Sequence, residues 1–170
     1  FWNSIMKCRH CSKQLENTFL DLGFTPPSNS YLTEKNLNEP EIYFPLKLKV
    51  CKKCWLVQTE DYINAEKLFT SEYAYVSSTS SSWLEHAKRY TYKMIDKLKL
   101  NKNSFVIEIA SNDGYLLKNF VKEKIPCLGI EPTTNTAVQA EKIGVPVLCK
   151  FFGETLAKKL SKNGKKADLV

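Results

Sequence analysis

The chain has 170 residues, 43% of them hydrophobic and 12% aromatic, and 25 Lys and Arg against 18 Asp and Glu give a formal net charge of +7. This composition is typical of a core-forming globular chain, and no apolar run approaches the roughly 20 residues of a membrane-spanning helix. The opening sequence lacks the basic start and apolar centre of an export signal. We therefore expect a cytoplasmic protein with no membrane partner, whose six cysteines stay reduced.

The first segment, residues 1–70, is predicted to be a small α+β domain. Residues 44–50 alternate between apolar and polar side chains, which favours a strand. Residues 56–58 are predicted to form the return strand. A turn-rich stretch around Pro26 and Pro27 precedes this hairpin.

Two cysteine pairs, each with two residues between its members, occur in this segment: Cys8 and Cys11, then Cys51 and Cys54. Thiolates are good zinc ligands, and this spacing turns both sulfurs of a pair towards one ion. The four cysteines therefore predict one structural zinc ion in a closed tetrahedral shell, with no position left for a catalytic water. His10 is the alternative ligand within the first pair.

Residues 71–100 are predicted to be a connecting helical segment. The Ser- and Thr-rich run 77–82 suits a helix start, and Ser82 followed by Glu85 fits a capping box. A helix over 82–99 follows from apolar side chains at helical spacing, which we expect to pack in a core. These side chains are Trp83, Ala87, Tyr90, Met94 and Leu98.

From residue 101 onwards, predicted strands alternate with predicted helices. The strands are 105–109, 127–130, 145–148 and a fourth starting at 167, and the helices are 115–123, 136–143 and 154–160. This alternation is typical of a parallel α/β sheet, and four strands correspond to roughly half of a doubly wound, Rossmann-like sheet. Cys127 falls within a predicted strand and Cys149 directly follows one, and both are interpreted as core residues.

The turn after the first of these strands runs from Glu108 to Gly114, and Glu131 ends the next strand. A turn of this kind exposes backbone N–H groups to a ligand, and a carboxylate about 20 residues further on can accept ribose hydroxyls. Ala110 and Asn112 stand where a dinucleotide fingerprint has glycine. S-adenosylmethionine, which has no phosphate, therefore fits the turn better than a dinucleotide does. A plain turn with a solvated Glu131 is the alternative.

Three motifs together resemble the N-terminal half of a known family. They are the two cysteine pairs, with Cys51-x-x-Cys54-Trp-Leu-Val-Gln at the second; Tyr73-Ala-Tyr75-Val-Ser-Ser followed by Trp83-Leu-Glu-His86-Ala; and Glu108-Ile-Ala-Ser-Asn-Asp-Gly114-Tyr-Leu-Leu. The family is that of C-methyltransferases acting on nucleotide-linked keto-deoxysugars. The resemblance implies a zinc-binding domain, a connecting segment and a truncated S-adenosylmethionine-binding domain at 101–170.

The resemblance also implies roles for individual residues. A base removes the proton beside the sugar keto group, and the resulting enolate takes the methyl group from S-adenosylmethionine. Tyr73 or Tyr75 reaches the substrate, Glu131 binds the cofactor ribose, and the remaining cofactor-binding residues are Glu108, Ala110, Asn112, Asp113 and Gly114.

The main base is expected beyond Val170, and His86 is more readily interpreted as a structural residue. We therefore expect the sequence to be an inactive portion of such an enzyme. A companion chain or an oligomer is expected to cover its incomplete sheet.

Two other classes stay open from the sequence alone. The four cysteines and the basic balance also fit a zinc-ribbon nucleic-acid-binding module, although no basic helix carries interleaved aromatic residues. A purely structural module that folds around zinc is the third possibility. Nucleic acid is the less expected partner.

Overall fold

The structure is a computed structural model that describes residues 6–170 in two compact units, with the boundary between Leu68 and Phe69. Residues 1–5 belong to the opening that was interpreted as lacking an export signal and to the predicted domain 1–70, and they lie outside the described residues. The predicted connecting segment 71–100 is part of the second unit. Within residues 6–170, no helix has both the length and the apolar character needed to cross a bilayer.

The first unit contains a three-stranded antiparallel sheet, β1 (Asn17–Thr25), β2 (Phe44–Val50) and β3 (Val57–Thr59), in that order across the sheet. Strands β2 and β3 confirm the predicted hairpin to within one residue. Strand β1 was not predicted, and it contains Asp21 and Gly23, two residue types that strands disfavour. The register shifts between Asp21 and Phe24, and Gly23 has a φ of 78°, so an irregularity in the ladder accommodates both residues.

Among residues 6–68, the buried core of the first unit is small and consists largely of cysteine. Cys8, Leu15 and Cys51 are buried, and Met6, Cys11 and Cys54 pack against them. So little apolar surface stabilises a chain of this size only weakly, and a metal ion is the usual substitute for the missing core. The other elements of this unit are a 3-10 helix, Glu34–Asn38, and a short helix α1, Ala65–Leu68.

The second unit is built on a parallel sheet of β4 (Val106–Ile109), β5 (Cys127–Ile130) and β6 (Val147–Leu148). On the other side of β4, Leu169 forms a parallel bridge with Val106, and the Ile107 N–H donates to the Leu169 carbonyl at 2.9 Å. The predicted fourth strand is therefore present as a bridge. The sheet order is β6, β5, β4 and then residue 169, so the chain order reverses at β4.

Helices cover both faces of this sheet. Helices α3 (Leu117–Lys122) and α4 (Thr134–Lys142) contribute to one buried cluster, with Ile95 packed against it, and α5 (Glu154–Lys162) contributes Leu160 to the cluster on the other face. A parallel sheet buried between helical layers is the arrangement that the alternating pattern predicts. The fold is thus α/β in its second unit.

Helix α2 (Ser81–Leu98) differs from its prediction in its start and in its buried face. The Ser80 hydroxyl, not that of Ser82, caps it by accepting from the Trp83 N–H at 3.3 Å. The buried positions are Ala87 and Thr91. Three of the side chains assigned to the core are exposed instead, namely Trp83, Tyr90 and Leu98. The small residues face the second unit's core because they let the helix approach closely.

Cys127 is buried in β5, as expected, whereas the interpretation of Cys149 was wrong. Cys149 lies just after β6 and is exposed, with its thiol 3.4 Å from the Pro132 carbonyl oxygen. Strand β6 is two residues long and ends at Leu148. Cys149 therefore belongs to a surface loop at the carboxyl end of the sheet.

Candidate functional site

The four paired cysteines converge in the first unit. Their sulfur atoms all lie within 4.8 Å of one another, with 3.6 Å between the sulfurs of Cys8 and Cys54 and 3.5 Å between those of Cys11 and Cys51. Zinc–sulfur bonds of about 2.3 Å in a tetrahedron separate the sulfurs by about 3.8 Å, whereas a disulfide would bring two of them to about 2.05 Å. The donor set and its spacing fit one zinc ion.

Polar groups around Cys8 favour its thiolate form. The backbone N–H of Cys11 and the Gln58 side chain lower the pKa of Cys8 to about 6. The Gln58 amide nitrogen lies 3.3 Å from the Cys8 sulfur, and its oxygen accepts from the Arg9 N–H at 3.0 Å. Gln58 is buried, so one side chain orients both a metal ligand and the backbone of its knuckle. His10 does not belong to the cluster of candidate ligands found among residues 6–170.

In the second unit, the loop between β4 and α3 is a tight turn, but its backbone N–H groups are not free for a ligand as the sequence predicted. Those of Ala110, Ser111, Asn112 and Gly114 donate to oxygen atoms of the protein itself. Ala110, Asn112 and Gly114 all have positive φ, at 57°, 50° and 78°. A Cβ on Gly114 would come within 3.0 Å of side-chain atoms of Ala140 and Val145, so this glycine permits close packing of the loop. The loop lies at the carboxyl end of β4, where open α/β sheets bind their ligands.

Glu131 lies at the carboxyl end of β5 but is not a free, solvated carboxylate. One oxygen accepts from the Asn112 N–H at 2.8 Å, and the other accepts from the N–H and hydroxyl of Thr133 at 2.9 and 2.6 Å. Glu131 is only 4% exposed. A carboxylate has about four acceptor positions, so these three bonds fix its orientation and leave acceptor capacity for a ligand.

Three carboxylates lie close enough at this edge to affect one another. Burial, together with the charges of Asp113 and Glu131, raises the pKa of Glu108 to about 8, and an interaction with the Tyr115 hydroxyl opposes that rise. One oxygen of Glu108 and one of Asp113 are buried without a hydrogen-bond partner among the described residues. An unpaired buried acceptor is costly, so the edge is built to receive hydrogen-bond donors and positive charge.

A cavity of about 380 Å³ lies beside Glu108, between α2, α3 and the sheet. Trp83, His86 and Tyr115 contribute to its wall. The Trp83 ring lies 5.2 Å from the His86 ring, nearly parallel to it, and 5.9 Å from that of Tyr115. Trp83, which the helical spacing assigned to a core, thus lines a cavity wall instead, and His86 is exposed.

The two candidate tyrosines lie in a segment without regular structure, and the structure brings their backbone to the loops. The Asn112 side chain donates to the Tyr75 carbonyl at 3.2 Å, and the Asn135 side chain donates to the Tyr73 carbonyl at 2.7 Å. The Tyr73 ring packs on Phe69 at 5.3 Å, whereas Tyr75 is half exposed. The tyrosine motif and the loop motif therefore meet in space.

Sequence reasoning missed several residues of these sites. Gln58 ends the motif that begins at Cys51, but no role was assigned to it. A polar glutamine in a short apolar strand was the signal that could have indicated one. Ser111, which is fully buried and whose hydroxyl has no partner within residues 6–170, and Thr133, which binds Glu131, were not singled out. Asn135 carries no local signal, because its partner is 62 positions away.

Two comparisons with known proteins found similar sequences. Residues 8–69 match a family described as a putative zinc binding domain. The C-methyltransferase NovU of Streptomyces niveus is 29% identical to the chain over 157 residues, which cover 90% of this chain. The chain spans 37% of the length of that relative. The comparisons and the four-cysteine cluster support zinc as the bound ion, and they support a C-methyltransferase family for this chain.

Proposed function

We propose that the chain is part of an S-adenosylmethionine-dependent C-methyltransferase whose substrate is a nucleotide-linked keto-deoxysugar. The partial α/β sheet of the second unit would be a Rossmann-like cofactor domain, and the first unit a zinc-stabilised substrate domain. Similarity to a C-methyltransferase over 90% of the chain is the observation that carries the reaction class. We further propose that turnover requires residues of the longer enzyme, since the chain spans 37% of that relative.

The charge of the carboxyl edge supports this cofactor over a dinucleotide. The charges of Asp113 and Glu131, which also raise the pKa of Glu108, would oppose a pyrophosphate, because like charges at short range cost free energy. S-adenosylmethionine brings a sulfonium and an ammonium group instead. Glu108 and Asp113 each have one buried oxygen without a hydrogen-bond partner among the described residues. These oxygens would accept hydrogen bonds from the cationic groups of the ligand or lie close to them.

The chain's own residues would mainly bind and orient. S-adenosylmethionine supplies an electrophilic methyl group when bound. Glu131, held by Asn112 and Thr133, would receive the ribose hydroxyls, and the loop from Ala110 to Gly114 would border the cofactor. Positioning of two reactants in this way can supply a large part of a rate enhancement.

The tyrosines would act on the sugar. A phenol at Tyr73 or Tyr75 would donate a hydrogen bond to the keto oxygen and stabilise the negative charge that develops there when the neighbouring carbon loses its proton. The half-exposed Tyr75 has its side chain available for such a contact, and the Tyr73 ring is packed on Phe69. On this ground we assign the substrate contact to Tyr75.

The nucleic-acid alternative gains little from the structure. Of the lysines clustered near the second cysteine pair, three face carboxylates: Lys47 with Asp21 at 3.1 Å, Lys49 with Glu60 at 3.4 Å, and Lys52 with Glu16 at 3.2 Å. Such pairing reduces the positive field that a phosphate backbone would meet.

Isothermal titration of the zinc-loaded chain with S-adenosylmethionine tests the proposal. We expect saturable binding at one site, weakened at least about tenfold by Glu131→Gln and unchanged by the exposed control Glu141→Gln. Tighter binding of NAD⁺ than of S-adenosylmethionine would contradict the cofactor assignment. Binding of an oligonucleotide with a steep dependence on salt would favour the nucleic-acid alternative.

A further inference from the structure

The segment that carries the two tyrosines has no helix or strand hydrogen bonds over residues 73–76 and enters a 3-10 helix, Ser77–Thr79, only at its end. Its backbone is nevertheless bonded to side chains of the two loops at the carboxyl edge. The fixed position of this segment therefore depends on those side chains rather than on secondary structure.

Asn112 makes the central contact. Its amide nitrogen donates to the Tyr75 carbonyl at 3.2 Å, and its side-chain oxygen accepts from the Ser77 N–H at 2.9 Å. The side chain thus spans Val76 and satisfies a donor and an acceptor of the segment together. Asn112 is 7% exposed, so water does not replace either bond easily.

Asp113 and Asn135 hold the segment on either side of Asn112. One Asp113 oxygen accepts from the Ser78 N–H at 3.2 Å, and the Asn135 amide nitrogen donates to the Tyr73 carbonyl at 2.7 Å. The second carboxylate oxygen of Asp113 and the amide oxygen of Asn135 are buried and have no hydrogen-bond partner among residues 6–170. Each side chain therefore has one atom on the segment and one acceptor available to a ligand.

The orientation of Asn112 is itself set by Glu131. The Asn112 residue has a φ of 50°, which asparagine tolerates better than most residues, and its N–H donates to the buried Glu131 carboxylate. A continuous series of hydrogen bonds therefore leads from Glu131 through Asn112 to the backbone on both sides of Val76.

We propose that Asn112 and Asn135 are positioning residues that clamp the tyrosine-bearing segment to the cofactor loops, so that a ligand bound at this edge orders the segment. This inference rests on the proposed function only for the identity of the ligand, S-adenosylmethionine. Hydrogen-bond donors of the ligand would pair with the buried oxygens of Asp113 and Asn135. These bonds would restrict the motion of the same side chains that hold the segment. Cofactor binding then precedes and favours correct placement of the tyrosine.

Hydrogen exchange followed by mass spectrometry, on the zinc-loaded chain, tests the clamp without a ligand. Asn112→Gly removes the side chain while keeping the positive φ free of strain. We expect the Ser77 and Ser78 amides to exchange at least about tenfold faster in this variant than in the wild type, and the exposed control Asn103→Ala to leave them unchanged. Equal exchange in wild type and Asn112→Gly would overturn the clamp.

Two further variants separate positioning from general loss of stability. Asn112→Asp keeps an acceptor for the Ser77 N–H and should restore much of its protection. Asn135→Ala suits helix α4 and should speed exchange at residues 73–75 while the melting temperature stays within about 2 °C of the wild type. Faster exchange spread evenly over the second unit would indicate global destabilisation and overturn the assignment.

The same experiment with S-adenosylmethionine distinguishes the two proposals. We expect the cofactor to slow exchange at residues 73–78 in the wild type, and Asn135→Ala to reduce that effect. Slower exchange at the loop 110–114 without any change at 73–78 would overturn the coupling and leave the proposed function standing. Absence of any binding would overturn the proposed function and the coupling together, while the ligand-free comparison would still decide the clamp.

Discussion

Replacing Glu108 with glutamine should stabilise the second unit, although it removes a residue that we place at the cofactor site. Glu108 is mostly buried beside Asp113 and Glu131, and these surroundings disfavour its charged form. In the unfolded chain the same carboxyl is solvated and ionised at neutral pH. Folding must therefore bind a proton or bury a charge, and glutamine avoids both.

The size of the effect follows from the pKa of Glu108, which rises from 4.5 to about 8 on folding. Each pH unit between the unfolded-state pKa and the working pH costs about 1.4 kcal/mol while the folded group stays protonated. The free-energy cost is below about 1 kcal/mol at pH 5 and about 3 kcal/mol at pH 7. Because the folded pKa is raised, the wild type loses stability relative to Glu108→Gln as the pH rises from about 4.5 to about 8.

Urea unfolding monitored by Trp83 fluorescence measures this difference. Replacing Trp2 and Trp55 with phenylalanine leaves Trp83, which lies beside Tyr115, as the reporter of the second unit. Glu141→Gln, at an exposed position of α4, is the matched control.

We expect Glu108→Gln to be more stable than the wild type by up to about 3 kcal/mol at pH 7, with most of the gain gone at pH 5. A variant that is less stable at pH 7, or a gain that does not change with pH, would refute the account of this carboxyl.

Other predictions concern both units. Gln58→Ala should lower zinc affinity about 10- to 100-fold in a chelator competition, because Cys8 loses its amide partner, and Gln58→Glu should not restore it. Removal of zinc should unfold the first unit, seen as loss of protected amides at Cys8, since that unit has little other core. Affinity for S-adenosylmethionine should rise with pH up to about 8, because a cation favours the ionised form of Glu108. Binding should therefore release a proton from Glu108, and the measured binding enthalpy should differ between buffers of different ionisation enthalpy. Gly129→Ala should destabilise by about 1–3 kcal/mol in urea unfolding, because its Cβ would lie 2.9 Å from that of Ser111.

The features that sequence could predict are those with a local cause. The cysteine spacing determines the metal geometry within each knuckle, and the alternation of strands and helices determines a parallel sheet. Strand β1 escaped prediction because its irregular ladder tolerates Asp21 and Gly23. The buried face of α2 was misassigned because Ala87 and Thr91, rather than the larger aromatic residues, face the core.

The site itself was predictable only in part, for the same reason. Glu108 and Glu131 were singled out because the first lies near, and the second just after, the carboxyl end of a strand, the edge where such sheets bind ligands. The contacts of Asn112 with the tyrosine segment join residues 35 to 37 positions apart, and no local pattern signals them. Polar side chains that bridge distant segments become visible only once the fold brings them together.

Native mass spectrometry of the purified chain with S-adenosylmethionine tests the central claim most directly, because it counts both ligands on one molecule. The account predicts a dominant species that carries one zinc ion and one S-adenosylmethionine, with the zinc lost and the cofactor retained when Cys51 and Cys54 are replaced by serine. A chain that carries no zinc, or that binds NAD⁺ in preference to S-adenosylmethionine, would contradict it.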